Sequence, residues 1–247
     1  MPQSTRRPTS LAAVALAFSA LALAAPAHAA PGLGGEVYGA QISEHELELE
    51  ARYGQLNGGT DGGKDKLRLE AAYGVNSRLE LAMVGKFAKS PGSSRQTEAV
   101  SVEAIYRLGQ IGGIDVAAYG EYEVGLQGSD AAEVKLLLQR KQGPWDFRFN
   151  LVAEKRMIVG APVELAYATS ADVEVASGVR LGLAAFGELG TFRRFAPRAE
   201  HFIGPVAKFK IKGIGEGLQV KTGYLFAAGK ALNSTSGQFR LNLEIEL

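Results

Sequence analysis

The sequence has no cysteine, which excludes a disulfide framework, a thiolate metal centre, a cysteine nucleophile and a lipid-modified N-terminal cysteine. Histidine is scarce, 3 in 247 residues, so little imidazole is available for general-base catalysis or for a cluster of metal ligands. Neither sign of charge dominates: 27 Lys and Arg face 26 Asp and Glu, for a formal net charge of +1. There is no basic run and no basic patch interleaved with aromatics, so nucleic acid is not expected as a partner. Beyond residues 11–24 no uncharged stretch approaches eighteen apolar residues, and no helical membrane span is expected.

What the chain does contain begins with a leader. Arg6 and Arg7, the apolar run 11–24, and Ala27-His28-Ala29 after Pro26 stand in the order of a charged region, an apolar region and a small-residue cleavage site. At about 1.5 Å per helical residue that run falls short of the roughly 30 Å hydrocarbon core. Residues 1–29 are therefore expected to be a cleaved secretory signal peptide, 30–43 an N-terminal periplasmic segment, and 44–247 one folded unit.

That unit alternates with period two. Glu44-His45-Glu46-Leu47-Glu48-Leu49-Glu50-Ala51-Arg52-Tyr53 puts Leu47, Leu49, Ala51 and Tyr53 on one face and the charges on the other. The same pattern recurs at about 66–73, 78–87, 99–108, 114–123, 131–140, 145–154, 164–175, 180–189, 202–211, 218–227 and 238–247, which makes twelve strands with 44–53. The 31 glycines fall mainly between these stretches. Connections 74–77, 109–113, 141–144, 176–178 and 212–217 are short. Those at 55–65, 88–98, 124–130, 155–163, 190–201 and 228–237 are mostly longer and polar or Gly-rich. Short turns at one end and long loops at the other describe an all-β, transmembrane, antiparallel up-and-down β-barrel of about 12 strands.

Two patterns favour a lipid-embedded barrel over a soluble sandwich. The apolar parity is read as free of Asp, Glu, Lys and Arg, as expected where a charge at the bilayer midplane costs about 2–4 kcal/mol. Its aromatics form two bands: Tyr53, Phe87, Tyr122, Tyr167, Tyr224, Phe226 and Phe239 at the loop end, and Tyr73, Tyr106, Trp145, Phe147 and Phe209 at the turn end.

Two stretches carry resemblances. Phe239-Arg240-Leu241-Asn242-Leu243-Glu244-Ile245-Glu246-Leu247 resembles the C-terminal recognition strand of bacterial outer-membrane proteins, although it ends on Leu247 rather than an aromatic. That resemblance implies insertion by the barrel-assembly machinery. Tyr73-Gly74-Val75-Asn76-Ser77-Arg78-Leu79-Glu80-Leu81 resembles the Tyr-Gly-(turn)-Arg-x-Glu-Leu hairpin of outer-membrane channel families, including those associated with aromatic degradation. It implies a Gram-negative outer-membrane, small-solute channel and carries over no site residue.

The inward parity supplies candidate pore-lining residues: Glu46, Glu48, Glu50, Arg68, Arg78, Glu103, Arg148, Arg180, Lys208, Lys210, Lys221, Arg240, Glu244 and Glu246. They support either salt-bridge ladders in a wet interior or a narrow charged pore for cations or zwitterions. The small inward residues Ala166, Ala168, Ser170, Gly182, Ala184, Gly204 and Gly223 leave room for a solute or for an inserted plug. At the seam, Glu44 and Glu46 are expected beside Glu244 and Glu246, within reach of Lys210 and Lys221, with a divalent-cation site as the alternative to simple charge balance. Loop bases such as Arg95, Arg193 and Arg194 suit lipopolysaccharide phosphates or a ligand-gathering mouth.

The function expected is passive passage of small polar or amphipathic solutes, without cofactor, bound metal or catalysis. A closed barrel with a structural or surface role is the alternative. A lipid-modifying enzyme is a weaker one, because His45 and His201, the histidines beyond the leader, lie at opposite ends of their strands. The topology predicts that single cysteines at Gly59, Arg95 and Arg194 react with an impermeant thiol reagent on intact cells and one at Lys141 does not; the reverse pattern would invert the orientation.

Overall fold

The computed structural model describes residues 30–196, 199–213 and 217–247; the expected leader, 1–29, lies outside them. The strands are β1 (Leu47–Asn57), β2 (Asp65–Asn76), β3 (Leu79–Lys89), β4 (Gln96–Ile111), β5 (Ile114–Gly125), β6 (Ala131–Gln142), β7 (Trp145–Arg156), β8 (Val163–Ala176), β9 (Val179–Thr191), β10 (Arg194–Phe195), β11 (Glu200–Ile211), β12 (Leu218–Gly229) and β13 (Gly237–Glu246). β10 is a two-residue strand paired only with β9, inside a long loop. The other twelve form an antiparallel ring in which β9 pairs directly with β11 and β13 closes on β1. This is an up-and-down barrel of the outer-membrane type, and among the described residues closure gives each of the twelve ring strands a partner on both sides.

The alternation read from the sequence is the alternation of the wall. Along β1, Leu47 and Leu49 are exposed while Glu50 and Arg52 are buried. Met83, Val134, Leu136, Leu151 and Leu183 likewise present an apolar exterior. Aromatics border it: Trp145 stacks on Phe147 at the turn end, and Tyr224 meets Phe226 edge-on at the loop end. Arg140, near the turn end of β6, corrects the reading of a charge-free outward parity: it lies on that face, placed where headgroups begin.

The structure corrects the sequence reading in four further places. β1 begins at Leu47, not Glu44, because His45 takes a left-handed turn (φ 63°) and its N–H donates to the Gly74 carbonyl. The seam register consequently pairs Glu48 with Glu246 and Glu50 with Glu244, so Glu44 and Glu46 are not the seam carboxylates. Arg78 is exposed in the turn between β2 and β3 and does not line the lumen. Finally, residues 30–43, expected as a segment preceding the folded unit, run inside it. Leu33, Val37, Tyr38 and Ala40 are buried inside the barrel.

Leu137 shows what that last correction means for the interior. Its sequence parity predicts a side chain facing luminal water, yet it is 0% exposed and packs with Tyr38, Ala40, Ile105, Ala117 and Tyr119. Its neighbour Leu136 is 41% exposed on the lipid face. Leu136→Arg is expected to weaken membrane insertion by about 2–4 kcal/mol. Leu137→Arg should leave the barrel inserted but loosen residues 30–43, read as new protease cleavage there. Equal loss of insertion in both variants would contradict this packing.

Candidate functional site, a charged lumen occupied by the N-terminal segment

A chain threaded through a barrel has no ladder partners, so its backbone polar groups must be met by side chains of the wall. The Asn150 side-chain amide accepts from the Tyr38 N–H (2.8 Å) and donates to the Tyr38 carbonyl (3.1 Å). Gln139 accepts from the Ala40 N–H at 2.9 Å, and Arg148 donates to the Val37 carbonyl at 3.3 Å. Gln238 donates to the Pro31 carbonyl at 3.0 Å, while Arg240 donates to those of Gly32 and Gly35. Near the turn end, Gln41 donates to Asp115 at 3.0 Å and accepts from Lys141 at 2.7 Å.

The side chains of the segment are held as closely. Leu33 and Val37 fill the hollow left by Ala168 and Ala184, beside Phe186. A Cβ on Gly54 would lie 2.7 Å from the Gly34 nitrogen, so β1 has room for the segment because it carries no side chain there. The Tyr38 ring lies 5.0 Å from that of Tyr119, with the Lys135 ammonium over both. Its hydroxyl accepts from Arg52 (2.8 Å) and donates to Glu103 (3.2 Å). Glu36 reaches Lys221 at 2.8 Å and Arg52 at 3.7 Å.

Strand register sorts the wall charges into two rows. The basic row runs Arg180, Lys208, Lys221, Asn242, Arg52, Arg68 and Lys86, each opposite the next on β9, β11, β12, β13, β1, β2 and β3. The acidic row runs Glu246, Glu48, Ala72, Ala82, Glu103, Glu121, Glu133, Glu154 and Glu164 on β13, β1 and then β2 to β8. Because strands of such barrels tilt by about 35–45°, both rows climb from the turn end to the loop end. On β1 they are separated by the four positions from Glu48 to Arg52, about 13 Å at the usual strand rise.

Like charges directly opposite one another repel, so each row depends on neighbours of the other sign. Arg52, fully buried, pairs with Glu50 at 3.0 Å and with Glu70. Lys86 bridges to Glu121 and Glu123, Lys208 to Asp172 at 2.6 Å, and Arg180 to Asp172. At the seam Lys221 meets Glu244, and Lys210, itself exposed, meets Glu246 at 3.5 Å. Carboxylates of Glu36, Glu50 and Glu244, and of Glu48, Glu244 and Glu246, lie close enough to share a cation. The first group already surrounds Lys221.

The sequence-derived set therefore divides. Glu48, Glu50, Arg68, Glu103, Arg180, Lys208, Lys221, Glu244 and Glu246 fall in the rows or the carboxylate groups at the seam. Arg148 and Arg240 hold the N-terminal segment, Lys210 is exposed beside Glu246, Glu46 precedes β1, and Arg78 lies in a turn. The uncharged amides Gln139, Asn150 and Gln238, which hold the segment's backbone, are not in that set. Their signal was polar residues on the inward parity of otherwise apolar strands.

Above the segment, at the loop end, the lumen widens into a cavity of about 590 Å³. Ala30 to Leu33, Glu36 and Tyr38 contribute to its lining, with Lys66, Arg68 and Lys86 from β2 and β3 and Glu133, Glu154 and Glu164 from β6 to β8.

No protein-family model matches the chain, and no curated protein matches it in sequence. Its fold is similar to that of solved structures at low identity. A KdgM porin in complex with disordered oligogalacturonate superposes with a TM-score of 0.61 at 10% identity, over 81% of this chain and 99% of that one. A NanC porin gives 0.54 at 12%, over 81% and 100%. An outer-membrane channel from Pseudomonas putida F1 gives 0.57 at 11%, over 83% and 97%.

If Asn150 anchors the segment, Asn150→Leu strands both Tyr38 backbone groups, at about 1–3 kcal/mol for each one left unpaired. Amide exchange should accelerate at 37–41 and stay slow in the strands; unchanged exchange at Tyr38 would show that the anchor lies elsewhere.

Proposed function

We propose that the protein is an outer-membrane channel for passive passage of small polar or amphipathic solutes, exported behind a leader cleaved after Ala29. The observation that supports this most directly is a lumen lined by two climbing rows of opposite charge behind an apolar wall, opening into the cavity at the loop end. A barrel with only a structural role needs a sealed interior, not charge ordered along its whole height. Proteins of the same fold are porins and channels, which agrees with this reading.

Residues 30–43 stand across the path, so the described conformation is a narrowed state. That occupancy favours the second reading, a closed barrel with a surface role, and makes the test concrete. Lipid and lipopolysaccharide are its proposed surroundings, with exposed Arg193 and Arg194 beside Phe192 and Phe195 facing headgroup phosphates. The C-terminal strand would be read by the assembly machinery.

The reading is non-enzymatic. His201 lies on the outward side of β11, and its Nδ1 meets the Tyr167 hydroxyl at 3.3 Å. Among the described residues no serine or carboxylate is hydrogen-bonded to it, so the base of a hydrolytic triad lacks both partners.

In planar bilayers the mature chain should give small unitary currents, and a chain lacking 30–42 currents several-fold larger. Silence from both refolded proteins would leave the closed structural barrel.

A further inference from the structure

We infer that the loop-end cavity is a binding site for zwitterionic solutes, which it orients crosswise with the anionic end toward β2 and β3 and the cationic end toward β6 to β8. The inference rests on the channel reading for its meaning in transport, and on three observations for the site itself.

The first is where the two rows meet the cavity. Lys66, Arg68 and Lys86 bring basic charge from β2 and β3, while Glu133, Glu154 and Glu164 bring acidic charge from β6, β7 and β8, where Lys135 and Arg156 also reach the lining. In the ring of twelve, β2 and β8 stand six strands apart, 8 − 2 = 6, on opposite walls. A dipolar solute lying across this space gains at both ends, whereas a simple anion or cation gains at one and approaches like charge at the other.

The second is the state of the groups. Lys66 is taken up by Glu98 at 2.8 Å and Lys86 by Glu121 and Glu123. Among the described residues no carboxylate oxygen comes within salt-bridge distance of Arg68, which is left to face the cavity. On the other row, Glu133 is paired with Lys135 at 2.9 Å, whereas among the described residues the cation nearest Glu154 in salt-bridge range is Arg156, at 3.9 Å. Buried Glu103, on the same row, keeps one carboxylate oxygen without a hydrogen-bond partner.

The third is how the chain fills the same gap lower down. There the rows are bridged by the N-terminal segment: Glu36 gives a carboxylate to Lys221 and Arg52 of the basic row, and the Tyr38 hydroxyl donates to Glu103 of the acidic row. An anion on one side and a donor on the other is the arrangement that a zwitterion would complete in the cavity above. A guanidinium also suits a carboxylate, since its planar fork can donate two parallel hydrogen bonds.

The test uses the refolded mature chain, isotope-labelled in micelles, titrated with three probes on the same four-carbon chain: 4-aminobutyrate, butyrate and butylammonium. The Arg68 side-chain Nε–H resonance should shift saturably with 4-aminobutyrate at about tenfold lower concentration than with either singly charged probe, a difference of about 1.4 kcal/mol. Read from the backbone amides of Leu33 and Gly35, which line the same cavity, Arg68→Gln should abolish the preference over butylammonium, and Glu133→Gln with Glu154→Gln the preference over butyrate, with strand resonances unmoved in both. Butyrate binding as tightly as 4-aminobutyrate would overturn the inference, as would the absence of a saturable shift with any probe. Saturable, selective binding by a barrel that stays silent in bilayers would keep the site and remove the channel, so the two failures are told apart.

Discussion

Lipid tolerates charge on one side of this wall only, and the rest of the molecule follows from that. A strand in a bilayer has two faces and period two, so excluding charge from the outer face drives the charged residues of the span inward, with Arg140 at its turn-end border the exception. The lumen then carries far more charge than an open, water-filled pore of this size would need. Arg52 at 0% exposure is the extreme case. Removing one partner from such a buried pair typically costs about 3–5 kcal/mol, because it leaves an uncompensated charge. A basic row beside an acidic one is a solution in which most of these charges have an opposite neighbour within reach, as Arg52 has Glu50 and Lys208 has Asp172.

The N-terminal segment belongs to the same solution. Its Glu36 lies between Lys221 and Arg52, and its backbone satisfies amides such as Asn150 that are completely withdrawn from solvent. An isolated buried amide is costly, so Asn150, Gln139 and Gln238 make sense on these strands only if something in the lumen hydrogen-bonds to them. The interior is thus built for an occupant with a peptide backbone in one part and left open in another.

The barrel was legible because the signal that forms it is local: a residue's face is set by its parity, and parity can be read over five or six positions. Strand ends were less so. Alternation alone starts the first strand at Glu44, but the turn at His45, fixed by a bond to Gly74 some thirty residues on, cuts it short. That shift carried the seam with it, since closing a ring fixes register through a strand pair far apart in sequence. The charged rows are a register property too and could not be seen before the pairing was known. Residues 30–43, with their glycines and few apolar side chains, resemble a linker, and their partners on β5, β6, β7 and β13 are up to about two hundred positions away. Leu137 was misread for the same reason: parity says which way it points, not what waits there.

The attachment of the segment has a consequence for competition. It enters the lumen from the turn end, joined to β1 by only a few residues, so a displaced segment remains tethered at the mouth of its own site. Short flexible tethers give effective concentrations of the order of millimolar. A solute that shares any of its contacts, such as those to Lys221 and Arg52, is therefore measured against an internal rival that dilution cannot weaken. Occupancy of the path by solute would depend on the ratio of external concentration to that fixed internal molarity, and would be the same in one isolated barrel as in a crowded membrane.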